Sequence, residues 1–133
     1  MNKYEELVEK AFEARNQAYA PYSKFKVGAA ILLKDGTILQ GANIENASFG
    51  LTNCAERSCL FSAYTDGVRK QDIIAIAIYT PTQKLTAPCG ACRQVMVELL
   101  EEDCKIILAN ENGKVEEYSV KELMPLAFTS EDL

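Results

Sequence analysis

The sequence contains no histidine among its 133 residues. This absence excludes Ser-His-Asp and Cys-His catalytic arrangements, and it leaves cysteine and carboxylate as the side chains suited to bind zinc. A general acid or base must then be sought among the glutamates and aspartates. The chemistry open to this chain is therefore the chemistry of thiols and carboxyl groups.

The sequence also lacks a long apolar run. Its first residues, MNKYEELVEK, show no apolar core of a secretion signal, and no later segment approaches the roughly 18 apolar residues of a membrane span. Basic residues are outnumbered, with 14 lysines and arginines against 19 acidic residues and a net charge of −5. Because such a charge repels phosphate backbones, nucleic acid is not an expected partner. We expect a cytoplasmic protein without membrane contact.

The pattern of apolar residues predicts a single α/β domain over residues 1–133. Apolar residues at helical spacing indicate helices, and alternating or continuous β-forming runs indicate strands. The predicted helices are 4–19, 54–64, 89–102 and 120–123, and the predicted strands are 25–33, 37–43, 72–79, 105–109 and 114–118. Short connections make the first two strands and the last two strands antiparallel. The order predicts a mixed five-stranded sheet with 72–79 at its centre, between helices in three α-β-α layers.

The five cysteines are an odd number in a chain without a secretion signal, which argues for reduced thiols that fill the core or bind metal. Cys89 and Cys92 lie one turn apart at a predicted helix start, close enough to chelate one ion. Cys54 begins another helix, and a crossover connection can bring both helix starts to one edge of the sheet. Cys59 and Cys104 are expected to be core thiols. Cys-x-x-Cys alone is equally typical of a redox or structural pair.

Three charged residues follow the predicted ligands. Glu56 lies in the first turn after Cys54, where it can reach the open position of a three-ligand metal site and transfer protons there. Arg57 comes three residues after Cys54 and Arg93 comes directly after Cys92, and their guanidinium groups could donate to the sulfurs and offset the charge of three thiolates. Either arginine taken alone could equally be a surface residue.

The combination of Cys-x-Glu with a later Pro-Cys-x-x-Cys resembles the signature of the zinc deaminases in its three-cysteine form. The likeness extends over nearly the whole chain, specifically to the short, homotetrameric cytidine deaminases. The similar segments are YAPYSKFKVGAA (19–30), GANIENAS (41–48), NCAER (53–57), PCGACRQV (88–95) and the ending PLAFTSEDL. The resemblance implies one Zn²⁺ per chain, with Cys54, Cys89 and Cys92 as ligands and Glu56 as the proton shuttle.

The resemblance also implies a substrate and the residues that contact it. The expected reaction is the hydrolytic deamination of cytidine and 2'-deoxycytidine in pyrimidine salvage. Asn43 and Glu45 match the ribose contacts, a pairing of amide and carboxylate that suits neutral hydroxyls and disfavours phosphate. The other implied substrate contacts are Phe25, Ala47, Phe49, Ala55 and Phe128, with Ala47, Phe49 and Phe128 expected to act across subunit boundaries.

Two alternatives stay open from the sequence. The first is a deaminase that acts on another free cytosine compound, such as a modified nucleoside or a nucleoside antibiotic. The second is a zinc-binding structural module without activity. Glu56 argues against the structural module, because a purely structural zinc site has no use for a carboxylate that does not bind the metal.

Overall fold

The computed structural model describes residues 4–133 of the chain, which form helices and strands. In chain order the elements are α1 (Glu5–Ala14), β1 (Gly28–Leu33), β2 (Ile38–Ala42), α2 (Ala55–Thr65), β3 (Ile73–Thr80), α3 (Gly90–Leu99), β4 (Lys105–Asn110), β5 (Val115–Ser119) and α4 (Val120–Leu123). Within residues 4–133, no helix has the length and apolar character required to cross a bilayer; the longest, α2, has 11 residues.

The five strands form one sheet in the order β2-β1-β3-β4-β5. Strand β1 is antiparallel to β2 and β3, β3 is parallel to β4, and β4 is antiparallel to β5. The predicted mixed sheet and both predicted antiparallel pairs are confirmed. The predicted central strand is β3, which is buried along nearly its whole length because both of its faces are covered.

Helices cover both faces of the sheet, which confirms the three-layer prediction. Helix α1 packs with Ala30, Ala77 and Ile107 on one face, and α2 and α3 pack with the alternate residues on the other. The contact between α1 and β1 depends on Gly28, because a Cβ atom there would lie 1.9 Å from the carbonyl oxygen of Ala11. The sheet and α1 therefore approach each other as closely as their backbones allow.

Three predicted elements are clearly shorter in the structure than the sequence suggested. Helix α3 ends at Leu99 rather than at residue 102, because Leu100 is extended and buried. Helix α1 ends at Ala14 and continues only as a 3-10 turn over Arg15–Gln17, because Tyr19 is extended and pairs with Ile44. Strand β1 begins at Gly28 rather than at Phe25. The backbone of Phe25 is bonded to side chains instead of to a neighbouring strand. Apolar periodicity does not reveal either of these long-range contacts.

The directions of the strands decide where the helices begin. Strands β2 and β3 are both antiparallel to β1, so they run in the same direction, and β4 is parallel to β3. Helix α2 connects β2 to β3, and α3 connects β3 to β4. Both helices therefore return across the sheet and begin at the edge where β2 and β3 end. This edge contains the candidate site.

Candidate active site

Three cysteine thiols meet where α2 and α3 begin. Cys54 is the N-cap residue of α2, Cys89 is the N-cap residue of α3, and Cys92 lies in the first turn of α3. Their sulfur atoms lie within 4.8 Å of one another. Two sulfurs that bind one zinc ion tetrahedrally at about 2.3 Å lie about 3.8 Å apart, so the cluster fits this metal. Cys92 is buried and Cys89 exposed, so the cluster is open to solvent on one side.

The cluster is prepared to hold negative charge on sulfur. A hydrogen bond with the Cys92 thiol, aided by the Arg57 guanidinium, lowers the pKa of Cys54 to about 5. The Nη2 of Arg57 donates to the Cys54 sulfur at 3.2 Å. The hydrogen bond between the Cys54 and Cys92 side chains, together with burial, raises the pKa of the Cys92 thiol. Since zinc binds thiolates, metal binding at this cluster releases the Cys92 proton.

Glu56 lies in the first turn of α2, immediately beside this cluster. Its side chain is buried, with 6% of the residue exposed. Burial raises the pKa of the Glu56 carboxyl, and the neighbouring Cys54 thiolate raises it further. A carboxyl group in such surroundings exchanges protons closer to neutral pH than an exposed glutamate does. The position and the environment both suit proton transfer rather than metal binding.

The two arginines differ in what they contact. Arg57 donates to the Cys54 sulfur, as its predicted role requires. The predicted bond from Arg93 to a sulfur is not formed within the described residues. Its Nε donates to the Pro88 carbonyl and its Nη1 to the Leu123 carbonyl, both at 2.8 Å. Arg93 therefore connects the loop before Cys89 to the end of α4, because its planar guanidinium group can donate to both carbonyls.

The predicted sugar contacts lie next to the thiol cluster in the chain that precedes α2. Ile44 exchanges two backbone hydrogen bonds of 2.9 Å with Asn53, the residue before Cys54. On its other side, this segment pairs with Tyr19, whose N–H donates to the Asn43 carbonyl and whose carbonyl accepts from the Glu45 N–H. Residues 43–45 are thus fixed between two extended segments beside the start of α2.

Asn43 and Glu45 are already engaged within the protein. The Asn43 amide donates to the Phe25 carbonyl at 2.7 Å and accepts from the Val27 N–H at 3.0 Å. Glu45 accepts from the N–H groups of Tyr22 and Ser23 and from the Ser23 hydroxyl. The Ser23 hydroxyl in particular lowers the pKa of Glu45, so this carboxyl stays ionised.

The bonds already made leave limited capacity for a ligand. An ionised carboxylate has about four acceptor positions, and three of them are used in Glu45. One acceptor position of Glu45 therefore remains free for a ligand. The Asn43 amide retains one N–H and one acceptor position. Ser23 was not predicted to be a site residue. A serine two positions before Phe25 indicates a local turn, but the hydrogen bond from Ser23 to Glu45 connects residues that are 22 positions apart.

The other residues predicted to contact the substrate are Ala55, Ala47, Phe49 and Phe128. Ala55 begins α2 and is fully buried. Ala47 and Phe49 lie on the exposed loop before α2, and Phe128 is tied to α3 by a bond of 2.8 Å from the Gln94 amide to its carbonyl. Beside Glu45 lies an open groove of about 370 Å³, and its lining residues are Tyr22, Ser23, Glu45, Asn46, Phe49 and Thr52.

The two other cysteines are core residues, as predicted. Cys59 and Cys104 are 1% and 4% exposed and belong to the apolar cluster beneath α2 and α3. Burial raises the pKa of each thiol to about 12. Neither thiol is therefore prepared to become a metal-binding thiolate.

A three-thiol metal cluster beside a buried carboxylate, on a three-layer α/β fold, defines a zinc enzyme. The family model described as cytidine and deoxycytidylate deaminase zinc-binding region matches residues 1–109. A cytidine deaminase of Halalkalibacterium halodurans is 55% identical over 127 residues, which are 96% of this chain and 95% of that protein. The chain belongs to the cytidine and deoxycytidylate deaminase family, and it binds one zinc ion.

Two further similarities bear on fold and substrate. The crystal structure of a cytidine deaminase from Burkholderia pseudomallei superimposes with a TM-score of 0.91 at 50% identity, covering 96% of this chain and all of that one. A blasticidin-S deaminase of Bacillus cereus is 34% identical over 131 residues, with 93% of this chain and 91% of that protein covered. The fold of this chain is that of the cytidine deaminases.

Replacing Cys89 by alanine should abolish stable zinc binding, because two sulfurs cannot form the three-ligand site. The matched control is Cys104→Ala, which removes a buried thiol outside the cluster and should retain one zinc per chain. Metal content measured by plasma mass spectrometry on both purified variants provides the test. Full zinc content in Cys89→Ala would show that the cluster does not hold the metal.

Proposed function

We propose that this protein catalyses the hydrolytic deamination of cytidine and 2'-deoxycytidine to uridine and 2'-deoxyuridine, with release of ammonia. The observation that supports this most directly is the buried Glu56 carboxyl beside three converging thiols. Cytosine-ring hydrolysis needs an activated water and a group that moves its protons to the departing nitrogen. This arrangement offers both, and relatives of the same length are named cytidine deaminases.

In this proposal Cys54, Cys89 and Cys92 hold the zinc ion, which supplies Lewis-acid activation of a water molecule when bound. Three thiolates around Zn²⁺ have a net charge of −1, and this charge opposes the loss of a proton from the water. Arg57 offsets it by donating to the Cys54 sulfur. Arg93 contributes by holding the Pro88 carbonyl, and thereby the loop that ends in Cys89.

Glu56 moves the protons of the reaction. As the water oxygen forms a bond to C4, the carboxylate takes one proton from it and delivers that proton to N3 of the pyrimidine; it then takes the second proton of the same oxygen and transfers it to the amino group at C4. The C4–N bond breaks, ammonia leaves, and the oxygen of the water remains as the carbonyl of the product. Burial favours this role because it brings the proton affinity of the carboxyl closer to that of the groups it serves.

Residues before α2 bind the nucleoside. The free N–H of Asn43 and the remaining acceptor position of Glu45 face neutral sugar hydroxyls, whereas a phosphate would be repelled by the ionised Glu45. Phe25 is 37% exposed, so its ring is available to stack on the pyrimidine. Ala55, the first residue of α2, is the remaining proposed contact within one chain.

Glu56→Gln should keep one zinc per chain but lower kcat by at least about 100-fold, since the amide preserves the shape of the side chain but cannot shuttle protons. The control is Glu9→Gln, an exposed substitution on α1 that should leave kcat unchanged. Ammonia release from cytidine and zinc content are measured on the same samples. Turnover in Glu56→Gln equal to that of the wild type would refute the role of this residue.

A second candidate is the deamination of a nucleoside antibiotic, which the similarity to a blasticidin-S deaminase favours. A panel of cytidine, 2'-deoxycytidine, cytosine, CMP and blasticidin S separates the two. We expect turnover of both nucleosides and little turnover of CMP, because a phosphate meets Glu45 and a chain of net charge −5. Turnover of blasticidin S without turnover of either nucleoside would replace the first proposal by the second.

We also propose that the protein is a homotetramer that acts in the cytoplasmic salvage of pyrimidine nucleosides. The reducing cytoplasm suits a site made of free thiols. Phe49 and Leu51 are 78% and 70% exposed on the loop before α2, and Phe128 is 60% exposed in the tail. Apolar side chains exposed to this extent are typical of surfaces that a partner covers.

Sedimentation equilibrium should therefore give a mass of four chains of 14.7 kDa each. The physical reason is that assembly removes the exposed aromatic and aliphatic side chains from water. Zinc content is determined on the same sample, so that loss of metal is not mistaken for loss of assembly. A single-chain mass at micromolar concentration in zinc-loaded protein would contradict the tetramer and with it the cross-subunit roles of Ala47, Phe49 and Phe128.

A further inference from the structure

The turn between α1 and β1 contacts two of the groups that the proposed function assigns to the nucleoside, Glu45 and Phe25. Ser23 is at the centre of this turn. Its hydroxyl donates to Oε2 of Glu45, and its N–H donates to Oε1 of the same carboxylate at 3.2 Å. Tyr22 adds a second N–H to Oε1 at 3.0 Å. One turn therefore fixes both oxygens of the Glu45 carboxylate, and with them the plane of the group.

The Ser23 hydroxyl also accepts a hydrogen bond of 3.0 Å from the Phe25 N–H. A hydroxyl has one proton to donate and two acceptor positions, so it can serve Glu45 and Phe25 at the same time. The carbonyl of Phe25 is bonded in turn by the Asn43 amide at 2.7 Å. The N–H of Phe25 is thus held by Ser23, which also orients Glu45. The carbonyl of Phe25 is held by Asn43, the other predicted sugar contact.

The backbone at Lys24 shows that this turn has an unfavourable conformation. Lys24 has a φ angle of 62°, in the left-handed region that residues other than glycine seldom adopt. Its N–H is bonded to the Ala20 carbonyl at 3.0 Å. The left-handed residue between Ser23 and Phe25 reverses the chain so that the hydroxyl faces the Phe25 N–H. Strain of this kind persists only where surrounding contacts enforce it, and it is concentrated at functional sites.

We propose that Ser23 is a positioning residue of the nucleoside site, which sets the orientation of the Glu45 carboxylate and the place of the Phe25 ring through one hydroxyl group. The inference rests on the proposed function, in which these two side chains contact the sugar and the base. Ser23 has no hydrogen bond to the thiols or to Glu56 among the described residues. It therefore acts on substrate binding and not on the chemical step.

Ser23→Ala should raise KM for cytidine by roughly 5- to 10-fold, because Glu45 keeps its two backbone N–H donors and loses only the hydroxyl that completes its orientation, with kcat changed less than about twofold. Ser23→Thr keeps the hydroxyl and should return KM to within about twofold of the wild-type value. The matched control is Ser62→Ala, an exposed serine of α2 that should leave both constants unchanged. Zinc content and thermal unfolding establish that each variant is folded and loaded.

A double-mutant cycle separates positioning from a general loss of structure. If Ser23 acts through the carboxylate, its replacement should raise KM less in a Glu45→Gln background than in the wild type. Equal effects in the two backgrounds would overturn the proposal. So would an unchanged KM in Ser23→Ala, a fall in kcat at unchanged KM, or a threonine variant that behaves as the alanine variant does.

A measurement without substrate keeps the proposal independent of the activity. In Ser23→Ala the Phe25 N–H loses its acceptor, so hydrogen exchange of the peptide that contains Phe25 should be faster than in the wild type or in Ser62→Ala. Unchanged exchange would contradict the positioning role. Failure of the zinc-loaded wild type to deaminate cytidine would instead count against the proposed function, and the exchange result would still decide whether Ser23 holds Phe25.

Discussion

Three sulfur atoms within 4.8 Å of one another place a strict electrostatic requirement on the surrounding structure. Each must be a thiolate to bind zinc, and thiolates at this distance repel one another and the proton acceptor beside them. The chain has no histidine that could replace a sulfur by a neutral ligand. Besides the zinc ion itself, the positive ends of two helices and the guanidinium of Arg57 lie beside these sulfurs and oppose the repulsion. The location of the site follows from where these groups can converge.

The sheet topology provides this convergence. Two helices begin at one edge because β2, β3 and β4 run in the same direction. The segment that follows β2 stays at that edge, since Ile44 pairs with Asn53 immediately before Cys54. Groups suited to a sugar therefore lie beside groups suited to the metal without a further domain. The site is compact because β2, β3 and β4 run in the same direction and because Ile44 pairs with Asn53.

Much of this arrangement could be predicted from the sequence because it depends on local signals. The continuous apolar run of β3, the short connection between β4 and β5, and the spacing of Cys89 and Cys92 each have a local cause. The roles of Arg93 and Ser23 could not be predicted, since they depend on Leu123 and Glu45, which lie 30 and 22 residues away. Arg57 lies three residues after Cys54, whereas Arg93 directly follows Cys92. Arg93 is directed away from the sulfurs to the Pro88 carbonyl and to the end of α4.

Helix α3 connects the metal site to the C-terminal tail. Its first turn contains Cys92, and the next two side chains donate to carbonyls further along the chain, Arg93 to that of Leu123 at the end of α4 and Gln94 to that of Phe128 in the tail. The bond from Gln94 holds the Phe128 backbone beside α3. Because Arg93 also holds the Pro88 carbonyl, one side chain connects the end of α4 to the loop that ends in Cys89. Cys89 and the backbone of Phe128 are thus both attached to the first turns of α3, although 39 residues separate them in the sequence.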